Sequence, residues 1–153
     1  MGTFIIEGGH QLKGDIHPQG AKNEALQILC AVLLTDQPVK INNVPDIIDV
    51  NKLIALLNNL GVKVTKNSAE SYTFQADNIN LDWLQSEEYK IQGRGLRGSI
   101  MLVGPLLARF GKGYIPRSGG DKIGRRRLDT HFEGFIKLGA KFRYNKEEYF
   151  YGV

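Results

Sequence analysis

Cysteine is almost missing from this sequence: one, Cys30, in 153 residues. A single thiol excludes an internal disulfide and points to a reducing compartment. Cys30 lies in the apolar run Ala25-Leu-Gln-Ile-Leu-Cys-Ala-Val-Leu-Leu34, so it reads as a buried structural thiol rather than a nucleophile. Long hydrophobic runs are also missing, and none approaches the ~20 residues of a membrane span. The start, Met1-Gly-Thr-Phe-Ile-Ile-Glu7, lacks the basic residues and long apolar stretch of a signal peptide. The expectation is a cytoplasmic protein without membrane contact. The few aromatic residues, 9% of the chain, are not interleaved with basic ones as a stacking platform for single strands requires. No metal and no organic cofactor are expected.

What is present is an ordinary globular composition, 42% apolar and 24% charged, with an unusual distribution of charge. Residues 94 to 127 hold nine Lys or Arg against one acid, Asp121, a net +8 in a chain whose total is +4. The remainder therefore sums to −4, and the positive charge is focused. Focused charge raises the local concentration of an anionic partner. At its centre is Ser118-Gly-Gly-Asp-Lys-Ile-Gly-Arg-Arg-Arg127, where two adjacent glycines permit a tight turn and a close backbone approach.

In chain order, Phe4-Ile-Ile-Glu7 and Gln11-Leu-Lys-Gly-Asp-Ile16 read as short strands. Apolar residues crowd positions 25 to 34, which predicts a helix from Ala21 to Thr35 buried on most sides. Val39 to Val44 predicts a strand. A second helix follows, with Asp46 or Asp49 as its cap, Leu53, Ile54, Leu56, Leu57 and Leu60 on one face, and Gly61 as its stop. Strands are predicted over 62–66 and 71–76. Residues 77 to 88 form a connection that tucks Leu81, Trp83 and Leu84 onto the core.

Then the pattern repeats. Tyr89-Lys-Ile-Gln-Gly93 echoes Asp15-Ile-His-Pro-Gln-Gly20, and Gly95-Leu-Arg-Gly-Ser-Ile echoes Gly20-Ala-Lys-Asn-Glu-Ala. Leu138-Gly-Ala-Lys echoes Leu60-Gly-Val-Lys, at an offset of 78 rather than 75. This predicts an α/β (α+β) chain of two βαβαββ units, residues 20–88 and 89–153, after an N-terminal strand pair over 1–19. The second buried helix, Ser99 to Phe110, is expected to kink at Pro105. Lys22 and Arg97 occupy equivalent places at helix starts, and Arg125 to Arg127 stand near another. A cation there is unfavourable by about 0.3–1 kcal/mol. An anion bound to the free N–H groups of those helix ends would reverse the sign.

Gly20-Ala-Lys-Asn23, Val44-Pro-Asp46, Leu60-Gly-Val62, Leu96-Arg-Gly-Ser-Ile100, Gly104-Pro105, Ala108-Arg-Phe-Gly111 and Gly119-Gly-Asp-Lys-Ile-Gly124 resemble the UDP-N-acetylglucosamine 1-carboxyvinyltransferase family of enolpyruvyl transferases. The resemblance implies that family's inside-out α/β barrel, in which each of two domains has three βαβαββ units. About two units of one domain are present here, and residues 1–19 belong with the other domain. It implies enolpyruvyl transfer: the sugar 3-hydroxyl adds to C2 of phosphoenolpyruvate while C3 is protonated, and phosphate is then eliminated. Carried over by position, Lys22 and Asn23 would hold phosphoenolpyruvate. Arg97 and Arg126 would clamp substrate phosphates, and Arg126, Arg127, Leu128, Asp129 and Thr130 would lie along UDP-N-acetylglucosamine. His131 is either a ligand contact or a packing residue.

Two positions depart from the family pattern. Asp121 stands where most members carry cysteine, so a carboxylic acid would be the proton donor to C3, and the epoxide antibiotic fosfomycin would find no loop thiol to alkylate. Arg127 stands where proline is usual. The resemblance also implies an N-terminal fragment. The aspartate that deprotonates the sugar hydroxyl and a further arginine on phosphoenolpyruvate fall outside this sequence, so no turnover is expected from it alone, and an uncovered sheet edge is expected to favour self-association. Two other readings remain: a shikimate-pathway enolpyruvyl transferase, and a non-catalytic module that binds anions or nucleic acid through the basic window.

Overall fold

The computed structural model describes residues 2–116, 128–145 and 150–153. Its first regular element is helix α1, Lys22–Ala31, extended by a 3-10 turn over Val32–Leu34. After strand β1, Val39–Ile41, comes helix α2, Ile48–Asn59. The apolar positions of α2 recur every three or four residues, and Val50, Leu53, Leu56 and Leu57 are fully buried. Each such side chain contributes about 1.5–3 kcal/mol. Strands β2, Lys63–Ser68, and β3, Ser71–Gln75, complete a three-stranded antiparallel sheet. Its order is β1-β3-β2, with Phe74 opposite Val39 on one side and Val64 on the other.

The second half repeats this topology. A 3-10 turn over Arg97–Leu102 runs into helix α4, Val103–Phe110, followed by β4, Tyr114–Pro116, α5, Asp129–Lys137, β5, Arg143–Asn145, and β6, Phe150–Gly152. The second sheet has the order β4-β6-β5, so in both halves the last strand lies in the middle. The equivalence extends to the stop residues: Gly61 and Gly139 both follow a helix at positive φ, +108° and +96°, a conformation costly for any residue with a Cβ.

One large core joins α1, α2, the first sheet, the connection through Leu84, Tyr89 of helix α3, Glu87–Arg94, and Leu106 of α4. A smaller one gathers Ile100, Val103 and Ile115 with Leu128, Phe132, Phe135 and Phe142. Arg109 ties the end of α4 to the first half, its Nη1 donating to the carbonyls of Leu33, Thr35 and Ala76 at 3.1, 2.9 and 2.8 Å.

The structure differs from the sequence expectations at four places. Residues 2–20 carry no regular structure, and Phe4, Ile5, Ile6, Leu12 and Ile16 are 88–94% exposed. A two-stranded ribbon without a covering layer is marginal in water, and among the described residues no strand pairs with these. Residues 89–93, expected to open the second unit as a strand, lie within helix α3, Glu87–Arg94. Ser86 caps that helix by accepting the Tyr89 N–H at 3.1 Å, and Lys90 pairs with Glu87 one turn back. Neither half therefore has its leading strand. Neither Asp46 nor Asp49 caps α2, which begins after Ile47 with no side-chain cap; Asp46 instead accepts a hydrogen bond from Asn51. Pro105 does not kink a continuous helix. It is the third residue of α4, where an N–H has no intrahelical partner to lose, and the residues ahead of it, Arg97–Leu102, form a 3-10 turn.

Candidate phosphate-binding site

Gly20 places the start of α1. A Cβ at that position would stand 2.0 Å from the Asn43 carbonyl oxygen and 3.1 Å from Pro45 Cδ. Only glycine lets the chain pass that close to the turn after β1. Helix α1 then begins behind Ala21, which offers no side chain to cap it. The first-turn N–H groups receive no side-chain cap, and Lys22, Asn23 and the acid Glu24 are exposed beside them. Such a terminus carries partial positive charge and N–H donors, the two requirements of an anion site.

The Lys22 ammonium is held. Its Nζ donates to Asp49 Oδ2 at 2.9 Å, across from the first turn of α1 to the first turn of α2. Both side chains stay accessible, 49% and 39% exposed, and an ion pair this wet contributes about 0–1 kcal/mol. One turn along α1, on the Lys22 stripe, Leu26 packs against Gly98. That contact brings the turn beginning at half-buried Arg97 onto the same flank of α1 as Lys22. Ile100 of the same turn enters the small core with Leu128, the residue that precedes α5. Asp129 is half-buried in the first turn of α5, while Thr130 and His131 are exposed. Asp121, Arg126 and Arg127 lie outside the described residues, as do Lys122 and Arg125.

The helix starts fall into two groups. Ser86 caps α3 and Asn80 caps the turn over Leu81–Gln85 with hydrogen bonds to Asp82 and Trp83. At α1, α2, α4, α5 and the turns beginning at Val32 and Arg97 no side chain caps the N-terminus. The sequence signalled the cations Lys22 and Arg97 at two of these starts but not the role of Asp49, which reads there as a cap. It also counted Arg109 with the anion-facing charge, whereas Arg109 turns inward onto three carbonyls.

A shallow hollow of about 80 Å³ lies at this same place, between the start of α1 and the turn after β1, lined by Gly20, Ala21, Glu24, Ile28, Asn42 and Asn43; by itself it is well below the several hundred Å³ of a nucleotide-sugar site. Burial pushes the Cys30 thiol far up from its ordinary range, so no thiolate nucleophile forms there. Burial does the same to the Tyr89 phenol, whose hydroxyl donates to the Tyr114 carbonyl at 2.7 Å. Among the described residues no group of His, Cys, Asp or Glu could hold a metal ion, and no helix is long and apolar enough to cross a membrane.

A fold of this kind, two antiparallel three-stranded sheets each with two helices, is shared with an enolpyruvyl transferase. The crystal structure of NikO from Streptomyces tendae matches 95% of this chain and 30% of that one, with a TM-score of 0.72 at 20% identity. The chain belongs to the EPSP synthase (3-phosphoshikimate 1-carboxyvinyltransferase) family, whose model matches residues 6–152. Among curated relatives, UDP-N-acetylglucosamine 1-carboxyvinyltransferase of Bacteroides fragilis is 57% identical over all 153 residues, which cover 35% of its length. The protein of the same name from Porphyromonas gingivalis is 57% identical over 147 residues, 96% of this chain and 34% of its own. That from Bradyrhizobium diazoefficiens is 44% identical over 138 residues, 90% of this chain and 31% of its own. The chain thus spans about a third of the length of the curated relatives it matches.

Proposed function

We propose that this chain supplies the phosphate-gripping part of a UDP-N-acetylglucosamine 1-carboxyvinyltransferase, the enzyme of the first committed step of peptidoglycan synthesis. The observation that carries the reading is the 57% identity that runs the full length of the chain without a break in coverage. The reaction transfers the enolpyruvyl group: the sugar 3-hydroxyl bonds to C2 of phosphoenolpyruvate, C3 takes a proton, and the resulting ketal loses phosphate and a C3 proton. Lys22 and Asn23 bind phosphoenolpyruvate, with the α1 N–H groups completing the phosphate site. Arg97 and Arg126 bind substrate phosphates. Arg127, Leu128, Asp129 and Thr130 line the sugar nucleotide, and Asp121 donates the proton to C3 in place of a thiol.

On this reading residues 20–88 and 89–153 are successive units of one domain, and 1–19 complete the other domain in a longer, cytoplasmic polypeptide. The exposed apolar residues at 4–6, 12 and 16 support that assignment, and they make self-association of the short chain the expected behaviour. Reaction requires both substrates held between closing domains, so activity belongs to the longer polypeptide.

The test supplies that polypeptide with phosphoenolpyruvate and either UDP-N-acetylglucosamine or 3-phosphoshikimate, and follows phosphate release. Release with the sugar nucleotide alone is expected. Release only with 3-phosphoshikimate selects the shikimate-pathway reaction, and release with neither refutes transfer. Binding to an unrelated oligonucleotide that collapses with salt and ignores the sugar would select the nucleic-acid module.

A further inference from the structure

Lysine is a compact charge on a flexible four-carbon stem, so a lysine that must meet a phosphate gains from being anchored. Here the anchor is visible. Asp49 receives the Lys22 ammonium at 2.9 Å from a helix 27 residues further along the chain. The scaffold behind Asp49 is stiff, because Val50 and Leu53 of the same helix are fully buried and the Asn51–Asp46 hydrogen bond braces its first turn. The wet ion pair adds little to stability, so its consequence lies in where it holds the charge. It spans the uncapped starts of α1 and α2. A cation at the start of α1 is electrostatically misplaced and an acid at the start of α2 is well placed, and the pair joins the two. Asp49 uses one of the three ammonium donors and leaves the others for phosphate oxygens.

Resting on the phosphoenolpyruvate reading above, we propose that Asp49 is a positioning residue for that substrate: it fixes the Lys22 ammonium against the N-terminus of α1, where the phosphate is received. Asp49 does not touch the reacting atoms and acts through Lys22.

The experiment compares the wild-type full-length polypeptide with Asp49→Asn and Asp49→Glu. Asp49→Asn keeps the shape and loses the charge that holds Lys22. Its KM for phosphoenolpyruvate is expected to rise about tenfold, as for a weakened charge-assisted hydrogen bond, while the KM for UDP-N-acetylglucosamine changes less than about twofold and the melting temperature stays near that of wild type. Asp49→Glu, which restores the carboxylate on a longer stem, is expected to recover part of the loss. A merely structural aspartate would move both KM values together and lower the melting temperature, and that result overturns the proposal, as does an Asp49→Asn chain that fails to fold. An unchanged phosphoenolpyruvate KM in an active enzyme overturns the positioning role alone. A wild-type polypeptide that forms no enolpyruvyl product takes the functional reading down and this inference with it.

Discussion

Replacing Arg109 by methionine removes the guanidinium that joins the two halves of the chain and keeps most of the apolar stem. One nitrogen serves the carbonyls of Leu33, Thr35 and Ala76, all within 3.1 Å. It has two hydrogens for three acceptors, so at most two of these bonds are strong and the third is shared. A hydrogen bond from a charged donor contributes about 1.5–3 kcal/mol, and an abandoned acceptor costs about 1–3 kcal/mol when buried. Arg109 is half-buried and water can reach part of the vacated site, so the expected loss is about 2–4 kcal/mol rather than the full sum. The guanidinium also lies 4.9 Å from the centre of the Phe110 ring, a smaller contribution lost with it. For a chain of this size the melting temperature should fall by roughly 5–15 °C. Thermal unfolding followed by circular dichroism measures this, with Lys112→Ala, an exposed cation two residues past α4, as the control. An Arg109→Met shift no larger than the control's would refute the inward clamp and return Arg109 to the anion-facing charge.

Gly20→Ala drives a Cβ into the Asn43 carbonyl, so a stability loss of about 1–3 kcal/mol is expected, together with weaker phosphoenolpyruvate binding by the full-length protein because the start of α1 must move. Equilibrium denaturation and substrate titration read the two effects separately. Acid should unfold the chain partly through Asp77 and Glu87. Hydrogen bonds from Lys63 and Lys90 hold these carboxylates below their ordinary values of 3.8 and 4.5. A depressed folded pKa stabilises above the unfolded value and loses that contribution as pH falls through the folded one, so the melting temperature should drop below about pH 4, less steeply in Asp77→Asn. The full-length protein with Asp121 should keep its activity after incubation with fosfomycin, and Asp121→Cys should lose it with time; irreversible inactivation of the wild type would contradict the loop assignment.

Much of the fold was legible because its signals are local. The α2 face at Leu53, Leu56 and Leu57, the stops at Gly61 and Gly139, and the repeat of Gly20-Ala-Lys in Gly95-Leu-Arg all appear in the sequence at the spacing the helices require. The errors came where a partner decides. Residues 4–16 have strand composition, but no strand among the described residues pairs with them. The echo at Tyr89 implied a leading strand, while Ser86 and the acids behind it specify a helix start, a signal present in the sequence and outweighed there by the repeat. Asp49 has the composition of a cap, and only the approach of α1 to α2 reveals it as the partner of Lys22. Arg109 shows the same limit, since a charge count cannot tell a cation facing solvent from one facing three carbonyls.

The account turns on whether a substrate phosphate sits at the start of α1. A crystal structure of the full-length protein with UDP-N-acetylglucosamine and a non-reactive phosphoenolpyruvate analogue decides it. The expected map shows the analogue's phosphate within hydrogen-bonding distance of Lys22 Nζ and of first-turn N–H groups of α1, with Arg97 on the same hollow. An analogue bound elsewhere, with the N-terminus of α1 in solvent and Arg97 on another face, would contradict it.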